Sequence, residues 1–236
     1  LMNAARTLRL KLKHVVRTPS QHAEEFERDW RTPTALLDAR PLPQDAATKA
    51  ALIEASDVKE RARRHLRGED EGRGFVEQLI AAHLGRRSRH NQSLYLLEPD
   101  LKHGLGALRD LNALHWSSMV RFGVPILALD PRTQGWGNIQ QETLREVRSW
   151  LLMLRMHLHS LHSRAQERLR FTEQEVLARC IYADHPRPIE QLMRSHYQMT
   201  RGCLKLFERT LRAWGHSTSH SELTRARTLE LFQMPQ

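Results

Sequence analysis

The sequence predicts a mainly α fold: a helical bundle-like domain over residues 44–215, a small α/β segment before it over 1–43, and a tail over 216–236. Three observations predict it. Apolar residues recur at helical spacing over most of the chain, as in Leu144, Val147, Leu151, Leu154 and Leu158. Only Leu8 to Arg17 alternates as a strand does, with Leu8, Leu10, Leu12 and His14 against Arg9, Lys11 and Lys13. Pro41 and Pro43 interrupt the chain between the two regions.

Each element follows from its local chemistry. Thr18-Pro19-Ser20 opens a helix to about Trp30, with Glu24 and Glu25 in its early turns. Thr32-Pro33 opens a short one ending near Arg40. Asp45 caps a helix of about Ala46 to Leu66. Gly68 to Gly74 is a polar loop whose Glu69-Asp70-Glu71 run reads as a solvated linker. Phe75, Leu79, Ile80 and Leu84 mark the next helix, and Leu108, Leu111, Leu114 and Met119 another. Gly123 to Gly137 is irregular. Ile139 to about Leu169 reads as one long helix, Thr172-Glu173-Gln174-Glu175 as a capping box opening a helix to Tyr182, and Ile189 to Trp214 as the last long helix.

Composition bounds the function classes. Hydrophobic residues are 40% and charged residues 27%, ordinary for a globular protein. No apolar run approaches the roughly 18 residues of a membrane span. Two cysteines, Cys180 and Cys203, make no disulfide framework; both are expected reduced and buried on helices, in the cytoplasm. The net charge of +10 favours polyanionic partners such as nucleotide phosphates, nucleic acid or acidic protein faces. Arg is spread along the whole chain, so charge does not single out nucleic acid, which is not the expected partner.

The most specific stretch is Tyr95 to Trp116, YLLEPDLKHGLGALRDLNALHW. It resembles the YNLEPxxKxGPGGLRDLxTLxW segment of bacterial protein-PII uridylyltransferases, the uridylyl-removing bifunctional enzymes. Tyr95, Leu97, Glu98, Pro99, Lys102, Gly104, Gly106, Leu108, Arg109, Asp110, Leu111, Leu114 and Trp116 match it. Leu10 to Thr18 is similar to that family's LxVGHSVRT strand, and Thr32 to Arg40 to its TVATALLEAR helix. Arg155, His159, Arg164, Arg168, Leu169, Phe171 and Gln174 fit RxxLHxxxxRxxxRLxFxxQ, and Ile189 to Tyr197 fits VERFMxxYY. The resemblance runs in family order over about Leu10 to Leu211.

The resemblance implies that residues 1–43 are the end of a nucleotidyltransferase domain and 44–215 the helical domain that follows it. It implies an enzyme that transfers UMP from UTP to a tyrosine of the PII nitrogen-signalling protein, using magnesium. Such enzymes hold two cations on a GSxxxxxDxD arrangement, because closely spaced carboxylates must neutralise a triphosphate. No such motif occurs in these residues, so no catalytic or metal-ligating residue is expected among them. The chain begins without Met and in mid-pattern, as expected of a fragment or an incomplete gene model.

Lys102 and Arg109 are candidates for a nucleotide phosphate or an acidic protein loop, with Gly104 and Gly106 allowing close backbone approach. The plainer alternative is that Arg109 and Asp110 tie the loop to neighbouring helices, with Glu98 pairing a basic group. The copy departs from the family at Leu105, where Pro is usual, and at Ala107, where Gly is usual; His103 also stands in the loop. Arg155, His159, Arg164 and Arg168 make a basic face for nucleotide or partner, or pair with Glu167 along the helix. His157, His159 and His162 lack a carboxylate at useful spacing and read as packing histidines. Two other classes stay open: a non-catalytic homologue acting as an interaction module, and a basic helical nucleic-acid binder.

Overall fold

In the computed structural model, residues 15–39, 48–87, 93–130, 138–162 and 165–214 are described. They form eight α-helices and no strand: α1 (Pro19–Arg28), α2 (Arg31–Leu36), α3 (Thr48–Arg67), α4 (Arg73–Arg87), α5 (Leu108–Phe122), α6 (Asn138–His162), α7 (Phe171–Ile181) and α8 (Pro188–Ala213). A 3-10 turn, Ile126–Ala128, lies between α5 and α6. The chain divides into two compact units, Leu1–Gly68 and Glu69–Gln236. The boundary expected after Pro43 falls outside the described residues, as does all of the expected strand except Val15 to Arg17, which are irregular.

In the first unit, α1 opens with a full capping box. The Gln21 amide donates to the Thr18 hydroxyl at 3.3 Å, and the Thr18 amide donates to the Gln21 side chain at 2.8 Å. Pro19 sits at the first helical position, where its missing N–H costs nothing. The helix stops at Arg28, two residues before the expected Trp30, because Asp29 turns extended. Helices α1, α2 and α3 pack around buried Phe26, Leu37, Ala62 and Leu66.

In the second unit, Asp70 has a definite task. Its carboxylate accepts from the Gly72 amide at 3.1 Å and the Gly74 amide at 2.6 Å, capping the start of α4. The loop that reads as a plain solvated linker is therefore also a helix cap. Gly123, at φ +75°, closes α5 with its amide on the Met119 carbonyl at 3.0 Å.

Helix α8 is the organising element: α5, α6 and α7 all pack on it. Its buried side, Leu192, Met193, His196, Thr200, Cys203, Phe207, Thr210 and Leu211, meets the α6 row Leu144, Val147, Leu151, Leu154 and Leu158 expected from sequence. Burying each such Leu is worth roughly 1.5–3 kcal/mol. Cys203 is buried as expected; Cys180 is exposed, because it lies near the end of α7 at the margin of the buried row Glu173, Gln174, Leu177 and Ala178.

The expected long helix to Leu169 is a correction. α6 ends at His162, and residues 165–170 run extended. Their backbone pairs antiparallel with the segment before α5: Leu101 donates to the Glu167 carbonyl at 2.8 Å and Leu169 to the Pro99 carbonyl at 2.9 Å. The second correction is the capping box at Thr172. Helix α7 already starts at Phe171 with Arg170 as its cap, and the Thr172 hydroxyl donates to the Glu173 side chain at 3.1 Å instead.

Candidate functional site

The segment from Tyr95 to Asp110 is held along its length by the strip 167–174 and by α8. The Tyr197 hydroxyl donates to the Leu96 carbonyl at 2.8 Å, and its ring meets Tyr95 edge-on at 5.3 Å. The Gln174 amide nitrogen donates to the Leu97 carbonyl at 2.6 Å and to the Leu169 carbonyl at 3.0 Å. Glu98 accepts from the Phe171 amide at 3.3 Å, at the start of α7, and pairs with no basic side chain among the described residues.

The loop folds around two aspartates. Asp100 accepts from the amides of Lys102 at 2.8 Å and His103 at 2.7 Å, a side-chain-closed turn. Its carbonyl then takes the Gly104 amide at 3.0 Å. Asp110, fully buried, accepts from the Gly106 amide at 2.8 Å. Gly106 adopts φ +69° and lies against the backbone of Thr200. Gly104 and Gly106 thus allow close approach to this chain's own backbone, at Asp100 and Thr200. Leu105 and Ala107, where the loop departs from the family pattern, are both buried.

Three of the candidate cations converge on Glu167. Arg155 donates to both carboxylate oxygens, each at 2.7 Å. Lys102 is 3.8 Å and His159 3.9 Å from the same carboxylate. Burial alone would raise the Glu167 carboxyl; the Arg155 hydrogen bonds, then the charges of Arg155, Lys102 and His159, outweigh it and hold the group below its ordinary value. The same pairing raises Arg155. The pairing of Arg155 with Glu167 runs across the break after α6, not along one helix as the sequence suggests.

Arg109 and Arg168 stay outside this cluster. Arg168 joins by backbone only, bridging to Asp100 while its side chain is exposed. Arg109 lies in the first turn of α5; its Nε is buried without a hydrogen-bond partner, and no carboxylate pairs with it among the described residues. Arg164 lies outside the described residues. His162 also finds a carboxylate that its spacing does not announce: Glu173, at 2.7 Å from the beginning of α7. His157 packs back on the Met153 carbonyl at 2.8 Å. Among the described residues no group of three or more His, Cys, Asp or Glu could hold a metal ion.

The residues that sequence reasoning undervalues are Asp100, Glu167, Glu173 and Thr200. Nothing in the letters from Ser163 to Leu169 breaks a helix, so the return strip that carries Glu167 to Lys102 leaves no signal. Asp100, directly ahead of Lys-His-Gly, is the kind of residue that closes such turns and was legible as one.

The sequence model of the family described as GlnD PII-uridylyltransferase matches residues 74–211. The chain belongs to the PII-uridylyltransferase family. The match spans the loop, the strip and α8 together. The chain is similar to a bifunctional uridylyltransferase/uridylyl-removing enzyme of Xanthomonas campestris pv. campestris (strain B100), 33% identical over 86% of this chain and 23% of that protein. The protein of the same description from Gluconobacter oxydans (strain 621H) is 31% identical over 84% of this chain and 22% of its own length. That from Rhodopseudomonas palustris (strain ATCC BAA-98 / CGA009) is 29% identical over 81% and 20%. The chain thus spans less than a quarter of the length of these curated relatives. No solved structure matches. No described helix is long and apolar enough to cross a membrane.

Proposed function

We propose that this chain supplies the helical supporting domain of an enzyme that transfers UMP from UTP to a tyrosine hydroxyl of the PII nitrogen-signalling protein. The observation that carries this reading is the division of labour among the matched cations. Lys102, Arg155 and His159 surround Glu167 and hold the loop in shape, while Arg109 has no carboxylate partner among the described residues. A guanidinium whose buried Nε has no hydrogen-bond partner suits an oxygen anion. A UTP phosphate, or a carboxylate of the acceptor protein, is that anion.

Magnesium belongs to the reaction in this family by resemblance, and the described residues offer no ligand group for it. In this reading the domain binds and orients, and a carboxylate-bearing nucleotidyltransferase domain does the transfer. The loop's departures at Leu105 and Ala107 are buried substitutions that leave Gly106 in its left-handed conformation. They are therefore compatible with the binding role.

The test is binding and transfer by the purified 236-residue chain with UTP and a PII-type trimer. Expected is measurable binding of UTP or of the trimer, and no UMP transfer. Magnesium-dependent UMP transfer by the chain alone would refute the supporting role. Absence of binding to both ligands would leave the interaction-module reading with some other partner in its place.

A further inference from the structure

We propose that the outer face of α8 is a docking surface for the acidic face of a helical protein partner. The inference stands on different residues from the UTP and PII reading, so either can fail alone.

Arg194, Arg201, Lys205, Arg209 and Arg212 are all exposed on α8. At 100° per residue, Arg194, Arg201, Lys205 and Arg212 fall within a band about 40° wide, with Arg209 at its margin. The buried residues of the same helix, from Leu192 to Leu211, occupy the opposite side. The band is a straight row of cations about 27 Å long, from the 1.5 Å rise per residue.

None of these five cations has an ion-pair partner among the described residues. The helix's two acids do little to offset them: Glu190 pairs with Arg187 at 3.3 Å, and Glu208 is half-buried beside the row. Elsewhere on this unit exposed charges mix sign, as with Glu142, Arg145, Glu146 and Arg148 on α6 and Glu175 and Arg179 on α7. The uncompensated row on α8 is one helix wide.

That width decides the kind of partner. A nucleic-acid duplex draws its affinity from several phosphate contacts across a broad surface, and single strands need aromatic platforms. The row offers neither: its five cations lie on a single helix, and Trp214 at its end is buried. The intervals 194, 201, 205, 212 are seven, four and seven residues, the repeat that a second helix presents along one side. Four of the five cations are Arg, whose fork takes a carboxylate by two bonds.

The probe is a 21-residue Ala-rich peptide with Glu at helical i, i+4, i+7 spacing, set against an isomer with the same Glu count scattered around the helix. A 20-base-pair DNA duplex is the third ligand. The full chain should bind the in-register peptide with an affinity that falls as salt rises. Arg201→Gln/Lys205→Gln should weaken that binding about five- to tenfold. The double variant Arg148→Gln/Arg179→Gln, equal in net charge, should leave it within twofold. Equal binding of both peptides, or equal loss in both variants, overturns the proposal in favour of unspecific charge attraction. Binding of DNA without the peptide overturns it in favour of nucleic acid, and binding of neither makes the row a solvated face.

Discussion

Gly106 lies so close to Thr200 that a β-carbon built on it would stand 1.8 Å from the Thr200 carbonyl oxygen. The obstacle is backbone of α8, so trimming the Thr200 side chain does not relieve it. Gly106 also needs φ +69°, which a side chain disfavours. Gly106→Ala should therefore cost about 3–5 kcal/mol, strain and overpacking together. Gly85→Ala meets nothing within 4 Å on α4 and should stabilise by about 0.5–1 kcal/mol. Chemical denaturation of the two variants checks the contrast; equal midpoints would mean that the loop does not pack on α8.

The pairing of Arg155 with Glu167 should be worth about 1.5–3 kcal/mol, since both oxygens are engaged and the carboxylate side chain is 18% exposed. Arg155→Lys loses the fork and should recover little of it. The folded carboxyl lies below its ordinary 4.5. Its stabilisation is thus present above about pH 4.5 and is lost as pH falls through the depressed value. A denaturation series should show that acid limb flattened in Glu167→Gln.

His196 is buried on α8, its Nδ1 has no hydrogen-bond partner, and burial pushes it down to about 4. The unfolded chain takes up that proton near pH 6.5 while the folded one does not, so stability declines as pH falls from about 6.5 to about 4. The loss should reach about 3 kcal/mol. His196→Leu should remove this part of the pH dependence without opening a large cavity. An unchanged slope between pH 6.5 and 4 in that variant would contradict the burial.

Arg109→Gln separates packing from binding. With no carboxylate partner to lose among the described residues, the variant should change stability by less than about 0.5 kcal/mol. Binding of UTP or the PII trimer should nevertheless weaken about tenfold. A variant that loses stability but keeps binding would place Arg109 among the structural groups.

The rows that build the core were legible in the chain. Leu144 to Leu158 on α6 follow the helical period because each turn must bury an apolar side chain. Likewise the fixed spacing of Glu98, Lys102, Gly104, Gly106, Arg109 and Asp110 marked the loop and its family, since a tight turn leaves little choice of residue. What the letters hid was the strip after His162. Residues 163–169 carry no Pro or Gly and keep helical spacing, yet residues 165–169 run extended because Glu167 and Leu169 find backbone partners at Leu101 and Pro99. Those partners lie more than 60 residues away, and local propensity holds no record of them. The same long-range pairing brought Glu167 to Lys102, Arg155 and His159, and left Arg109 and Arg168 outside that cluster.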